Sequence, residues 1–359
     1  MKALVLTGGS GVRLRPFTYS TPKQLIPLAN KPVLEHVVAH LRELGATEVC
    51  LLTGDWAEVI ETAMGDGSRF GVRLTYLRQD QPRGLAHAVR TARPFLGDDD
   101  FLMYLGDNIL ADATGAVAAA VGEFRARRPA AGLLVQKVAD PRAYGVAELD
   151  PDGAVLRLVE KPPHPRTDLA VVGLYYFTAA VHAATDAISP SARGELEITD
   201  AVQWLIDRGE QVVARRYSGF WKDVGRADDV LQCNRRLLGE LRTDVRGEVD
   251  PASELRGQVV IEAGARVVRS LIEGPAIIGA GTLIEDSRVG PGTSIGRDCV
   301  VRGTHLADSV VLQGAHICTP RGLRGSVVGR FATVGPGEQG DPGHRLVIGD
   351  HASVEMTAA

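Results

Sequence analysis

MKALVLTGGSGVRL, residues 1–14, reads as one strand running into a glycine loop. Ala3–Leu6 is a short apolar run of strand type, and Gly8, Gly9 and Gly11 place three glycines in four positions directly after it. Such a loop lets the backbone approach a ligand closely and turns several N–H groups toward an anion. Its spacing is not the dinucleotide-binding GxGxxG, and no Gly-Lys-Ser/Thr closes it as in a Walker A loop. Taken alone, it is as well suited to being a plain turn as a phosphate cradle. Further strands are predicted at Glu48–Leu52, Leu74–Leu77, Phe101–Leu105, Gly132–Gln136 and Val171–Phe177. Helical spacing occupies Val33–Leu44, Leu85–Ala92, Ala113–Arg128 and Thr199–Arg208. Strands alternating with helices predict an α/β domain with a doubly wound, mostly parallel sheet, whose ligands bind beyond the carboxyl ends of the strands.

After Leu241 the pattern changes. Apolar residues recur every six positions at Leu271, Ile277, Leu283, Val289, Ile295 and Val301, punctuated by Gly279, Gly281, Gly290, Gly292 and Gly296. The same interval appears at Ile261–Val267 and Ile348–Val354. A six-residue period with glycine at the corners marks a parallel β-solenoid, one hexapeptide to each flat face. The expected organisation is a first domain over 1–240, a linker over 241–257 and a left-handed parallel β-helix over 258–359.

Composition narrows the function classes. The 359 residues carry 40 Lys+Arg against 44 Asp+Glu, a net charge of −4, with 45% hydrophobic residues. That excludes a disordered chain and leaves no basic excess for a nucleic-acid partner. Cys50, Cys233, Cys299 and Cys318 lie far apart with no CxxC pair, as expected for reduced thiols in a cytoplasmic protein. The N-terminal apolar run is too short for a signal peptide, and no stretch approaches the ~18 apolar residues of a membrane span. No membrane partner is expected. His36 and His40 share a helix face but lack an HExxH pattern, and read as a structural pair.

The glycine loop continues through Arg13 and Pro16 to Pro22-Lys23-Gln24-Leu25-Ile26-Pro27. An Arg and a Lys beside one loop offer phosphates both a planar fork and a point charge. The run GGSGVRLRPFTYSTPKQLIP resembles the signature of the sugar-1-phosphate nucleotidylyltransferases, in particular those making thymidylyl sugars. The likeness continues in order through Gln79, Gly84-Leu85-Ala86-His87, Leu105-Gly106-Asp107-Asn108, Tyr144-Gly145-Val146, Val159-Glu160-Lys161-Pro162, Val172-Gly173-Leu174-Tyr175, Gly194–Asp200 and Trp221-Lys222-Asp223-Val224-Gly225. One departure is Val12, where the family usually has Thr.

The resemblance implies a Rossmann-like nucleotidyltransferase domain with Mg²⁺ as cofactor, dTTP and glucose 1-phosphate as substrates, dTDP-glucose as product and a homo-oligomeric state. By the same likeness, Gly8, Gly9, Ser10 and Gly11 cradle the triphosphate, Arg13 holds the departing pyrophosphate and Lys23 neutralises the α-phosphate. Gln24, Gln79, Gly84 and Asn108 complete the nucleotide site. Tyr144, Gly145, Glu160 and Val171 line the sugar, and Lys161 and Arg193 take its phosphate. Asp107 and Asp223 hold the metal; bare, the two carboxylates should repel. A uridylyl- or guanylyltransferase remains open, as does a solenoid acyltransferase using His305 or His316. Every candidate site residue of the transferase precedes Leu241, so the solenoid is expected to be dispensable for the chemistry.

Overall fold

The computed structural model describes residues 1–111, 115–319, 322–335 and 350–355. The chain forms two compact units, Met1–Gly9 with Leu34–Trp221, and Ser10–Val33 with Lys222–Ala359. This division departs from the expected boundary at residue 240, because the segment 10–33 groups with the C-terminal part of the chain.

The first unit is built on a nine-stranded sheet of β1 (Lys2–Leu6), β2 (Glu48–Thr53), β3 (Arg73–Arg78), β4 (Phe101–Leu105), β5 (Ala131–Lys137), β6 (Gly145–Leu149), β7 (Val155–Glu160), β8 (Leu169–Phe177) and β9 (Val212–Arg216). The order is β7-β6-β8-β4-β1-β2-β3, with β5 pairing both β8 and β9. Pairing is parallel from β4 through β1 and β2 to β3, and antiparallel wherever β8 meets β4, β5 and β6. All nine residues of β8 are buried, so it reads as a continuous apolar run rather than an alternating one. The core packs Leu4, Leu6, Phe101, Met103, Val171, Tyr175 and Phe177 against Ala86, Val89 and Val202 of the covering helices Leu85–Leu96 and Ile198–Asp207. Each such aliphatic side chain contributes about 1.5–3 kcal/mol by leaving water. Leu6 lies level with Leu52 on one side and Leu105 on the other. The chain segments following β1, β2 and β4 therefore emerge along one sheet edge.

In the second unit three parallel sheets stack into the solenoid, the architecture of a left-handed parallel β-helix. It starts earlier than expected. Asp244–Val245, Glu248–Val249 and Glu254–Arg256 pair with the following coil, so the stretch read as a linker is a full first turn. Val259 stacks on Ala276 and Ala276 on Thr293, a repeat of seventeen positions. The inward residues are Val267, Ile272, Ile278, Ile284, Val289, Ile295, Val301 and Leu306, with steps of five, six and six. Leu271 and Leu283 are thus only half-buried, and Ile277 faces out against Leu238. The strict six-residue count slips because one corner is a residue short. Left-handed Arg269 (φ 46°) and Asp286 (φ 48°) make that corner, and Ser270 and Ser287 donate their hydroxyls to the carbonyls of Val268 and Glu285. Of the expected repeat at 348–354, residues 348 and 349 lie outside the described residues.

The same unit holds a hairpin, Pro27–Leu28 with Lys31–Pro32, turned by Ala29 (φ 46°) and Asn30 (φ 62°). Two left-handed residues match a tight hairpin turn, but for alanine that conformation costs roughly 1–2 kcal/mol. The turn is held from outside. Ala29 N–H and the Ser294 hydroxyl both donate to Asn234 Oδ1 at 2.8 Å, Asn234 Nδ2 donates to the Gly292 carbonyl at 3.0 Å, and Asn30 Nδ2 donates to the Ile295 carbonyl at 2.8 Å. Asn234 belongs to the helix Ala227–Leu238.

Candidate active site

The sheet edge gathers the nucleotide residues of the first unit. Thr7 N–H donates to Leu52 O at 3.0 Å, Gly106 N–H to Leu6 O at 2.9 Å and Gln79 N–H to Thr53 O at 2.8 Å. The turns after β1, β3 and β4 are thereby pinned side by side. Gly8 has open space where a side chain would stand, and Gly9 is left-handed at φ 104°. Gly106 has no room for one, since a Cβ would lie 2.9 Å from Leu6 O.

Gln79 Nε2 lies 2.8 Å from His87 Nδ1 and 3.4 Å from the Gly84 carbonyl. Burial, then Arg83 and Arg90, hold the His87 pKa below its ordinary value, so its neutral ring can accept from the amide. What Gln79 can offer a base is therefore its acceptor, Oε1. Gly84 starts the helix Leu85–Leu96 at φ 99°, and a Cβ there would meet Leu196 O at 2.4 Å. Leu196 also donates to Arg83 O and accepts from Ala86 N–H, which seats the 193–198 segment on the base-reading turn. Gly84→Ala should cost about 2–4 kcal/mol through the backbone clash and the left-handed strain together. A denaturant midpoint unchanged from the parent would refute that account of the turn.

The sugar residues come together. A Cβ on Gly145 would lie 2.8 Å from Thr199 Cγ2, 3.4 Å from Glu160 Oε2 and 3.8 Å from Val171 Cγ2. Thr199 Oγ1 donates to Glu160 Oε2 at 3.2 Å, and the Tyr144 ring stands 5.1 Å from that of Trp221. Lys161 Nζ is 3.4 Å from Glu160 Oε1. Arg193 lies among carboxylates. It is held by Glu195 at 2.7 Å, Glu197 at 3.4 Å and Glu160 at 3.8 Å, which makes it the counter-ion of a carboxylate cluster before any phosphate arrives. Glu197 is buried, and burial raises its pKa although the Ser191 hydroxyl donates to it.

Asp107 follows β4 and accepts from Asn108 Nδ2 at 2.8 Å, while Asn108 Oδ1 accepts from Trp221 Nε1 at 2.6 Å. Asn108 is 3% exposed, and Gly173 leaves room for it, since a Cβ would come 2.6 Å from its Oδ1. Asn108 therefore braces Asp107 and joins it to Trp221. Trp221, in the strand Phe220–Asp223, and Thr199 both lie inside the quoted blocks and have no role assigned from the sequence.

In the second unit, Gly11 (φ 60°) packs on Thr18, whose hydroxyl donates to the Gly11 carbonyl at 2.7 Å. This stiffens the loop that carries Ser10 and Arg13. Arg13 Nη2 is 3.6 Å from Asp223 Oδ2, and Gly225 leaves the space that guanidinium fills. Asp223 thus has a cationic neighbour, so the expectation of a bare, repelling carboxylate does not hold for it. Lys23 is half-buried and Gln24 buried on the turn Lys23–Leu25. Among the described residues no group of three or more His, Cys, Asp or Glu could hold a metal by itself. Asp107 in the first unit and Asp223 in the second each carry a hard oxygen donor of the kind a divalent cation takes. His40 Nδ1 meets Tyr104 OH at 3.2 Å, in keeping with a structural role. His305 and His316 are exposed on different faces of the solenoid.

The family model described as nucleotidyl transferase matches residues 2–240. The chain is a member of the nucleotidyl transferase family. This nucleotidyl transferase is 49% identical over 358 residues to the glucose-1-phosphate thymidylyltransferase of Streptomyces griseus, covering 100% of both chains. It is also 49% identical over 357 residues to the enzyme of that name from Streptomyces antibioticus, covering 99% of each. A solved Bacillus anthracis structure, assigned as a glucose-1-phosphate thymidylyltransferase and complexed with sucrose, superposes with a TM-score of 0.62 at 34% identity. It covers 68% of this nucleotidyl transferase and 97% of that chain. Among the described residues no helix is long and apolar enough to cross a membrane.

Proposed function

We propose that the chain transfers a thymidylyl group from dTTP to glucose 1-phosphate, giving dTDP-glucose and pyrophosphate with Mg²⁺ as the metal. The observation that carries this reading is the contiguous cluster of Tyr144, Gly145, Glu160, Lys161 and Val171, in the same unit as the Gly8–Gly9 turn. Full-length likeness to two thymidylyltransferases supports it.

An oxygen of the sugar phosphate attacks the α-phosphorus of the triphosphate, and the bond from that phosphorus to the bridging oxygen of pyrophosphate breaks. A phosphate monoester is already a nucleophile at neutral pH, so the chain supplies position and charge rather than a base. Backbone N–H groups of Gly8, Gly9, Ser10 and Gly11 cradle the triphosphate. Lys23 meets the charge building at the α-phosphate, and Arg13 takes the pyrophosphate. Glu160, steadied by Thr199, accepts sugar hydroxyls; Lys161 binds the sugar phosphate, and Arg193 keeps the carboxylates around it in place. Asp107 and Asp223 would be the residues to hold Mg²⁺, which when bound would supply positive charge against the triphosphate.

Gln79 Oε1 suits the ring N3–H of thymine and uracil; cytosine N3 carries no hydrogen, and its donor is the displaced N4 amino group. The distinction between thymine and uracil rests on the relatives, because one methyl group is worth only about 1–3 kcal/mol. Pyrophosphate release from glucose 1-phosphate with dTTP, UTP, CTP, ATP and GTP tests the reading. Turnover should be greatest with dTTP, present with UTP and lowest with CTP among the pyrimidines. Preference for UTP would make the chain a uridylyltransferase, and equal use of CTP would remove Gln79 as the reader.

A further inference from the structure

We propose that Asn234, which lies in a helix behind the loop and outside the substrate clusters, is a positioning residue for Lys23, acting by clamping the Ala29–Asn30 turn to the solenoid. This rests on the reading that Lys23 acts at the α-phosphate.

Asn234 is fully buried, and both ends of its amide are used. Its Oδ1 takes the Ala29 N–H and the Ser294 hydroxyl, and its Nδ2 reaches the Gly292 carbonyl. One side chain thus joins the hairpin, its own helix and two positions of one solenoid strand region. Asn30 adds a direct bond to Ile295, and Ala29, Leu238, Val260 and Ile277 form a separate apolar cluster beneath the turn. The neighbouring Arg235 fixes the same helix to the corner at Asp308 by contacts of 2.6 and 2.7 Å.

The clamp reaches Lys23 through two backbone bonds. Val33 N–H donates to Ile26 O at 3.1 Å across the hairpin base, and Ile26 N–H donates to Lys23 O at 3.2 Å. A shift of the turn is therefore passed to the residue bearing the ammonium group. Alanine does not choose the left-handed conformation unaided, so without Asn234 the Ala29 turn should relax. A misplacement of about 1 Å in a group that meets a transition state can cost ~10²-fold.

The test is a double-mutant cycle on the full-length chain, read as kcat, KM for dTTP and melting temperature. Asn234→Ala should lower kcat by roughly ten- to a hundredfold with less than about a threefold change in KM. In a Lys23→Ala background the same substitution should cost less than about threefold, since the group it positions is gone. Ala29→Gly should return part of the kcat lost in Asn234→Ala, because glycine adopts the turn without help. Asn30→Gly keeps the turn conformation and removes only the Ile295 bond, and it supplies the same cycle if Asn234→Ala does not fold. Equal losses in both backgrounds, or kcat unchanged, would overturn the proposal. Near-normal kcat in Lys23→Ala alone would instead show that the reading of Lys23 is wrong, and the positioning route would fall with it.

Discussion

Asp107→Asn is expected to lower turnover by about 10²-fold or more while leaving the melting temperature near that of the parent. The two effects separate because the substitution is isosteric. Asn108 Nδ2 donates to Asp107 Oδ1, and an amide oxygen in its place accepts that bond equally well. The charge a divalent ion needs is lost with no change in packing. Asp223→Asn should behave in the same way with one addition, because its partner Arg13 at 3.6 Å is then released. Both side chains of that pair are substantially exposed, at 60% and 34%, so the stability cost stays within about 1 kcal/mol. The double variant should lose less than the product of the single losses, because both carboxylates act through one ion. Turnover at saturating Mg²⁺, with melting curves for all three proteins, decides the matter. Normal turnover or a large melting shift in either single variant would make these aspartates structural.

Lys161→Ala should cut kcat/KM for glucose 1-phosphate by about 10²-fold and change KM for the triphosphate little. Lys161 sits at φ 40° with its N–H donated to the Tyr144 carbonyl at 2.9 Å, so its backbone is fixed against the Tyr144–Gly145 segment. Arg193 does not substitute for it, being engaged by three carboxylates. Lys161→Arg should rescue only in part, since a planar fork replaces a point charge. Loss of triphosphate affinity alone would reverse the assignment of the two phosphate sites.

Local pattern made much of this molecule legible. All six strands predicted by apolar runs are present, because a buried strand must be apolar along its length. Gly145–Leu149, Val155–Glu160 and Val212–Arg216 escaped notice, since Glu148, Arg157 and Arg215 break their runs with charge. The hexapeptide period identified the solenoid, and Val289, Ile295 and Val301 do point inward, but Leu271, Ile277 and Leu283 do not, because a five-residue corner changes the phase once in each coil. Blocks far apart in sequence meet where Gly145, Glu160, Val171 and Thr199 become neighbours. Asn108 and Arg193 have partners that the sequence did not foretell. A residue's type tells what it can bond to, whereas its burial and neighbours decide what it does bond to. No sequence periodicity could have linked Ala29 to Asn234, since that contact depends on the packing of distant elements.

The bond from Asn30 to Ile295 joins residues 265 positions apart. At about 5–20 residues per second, a ribosome needs roughly a quarter of a minute to a minute to make the second partner after the first. For the last part of that interval the hairpin behind Lys23 has Asn234 but still lacks the solenoid carbonyls of Gly292 and Ile295, which Asn234 and Asn30 bind. A chain stalled or clipped before Ser294 would remain in that state for good. On the positioning proposed for Asn234, full turnover would then report that translation had reached the solenoid, which makes the β-helix a check on chain length as well as a support.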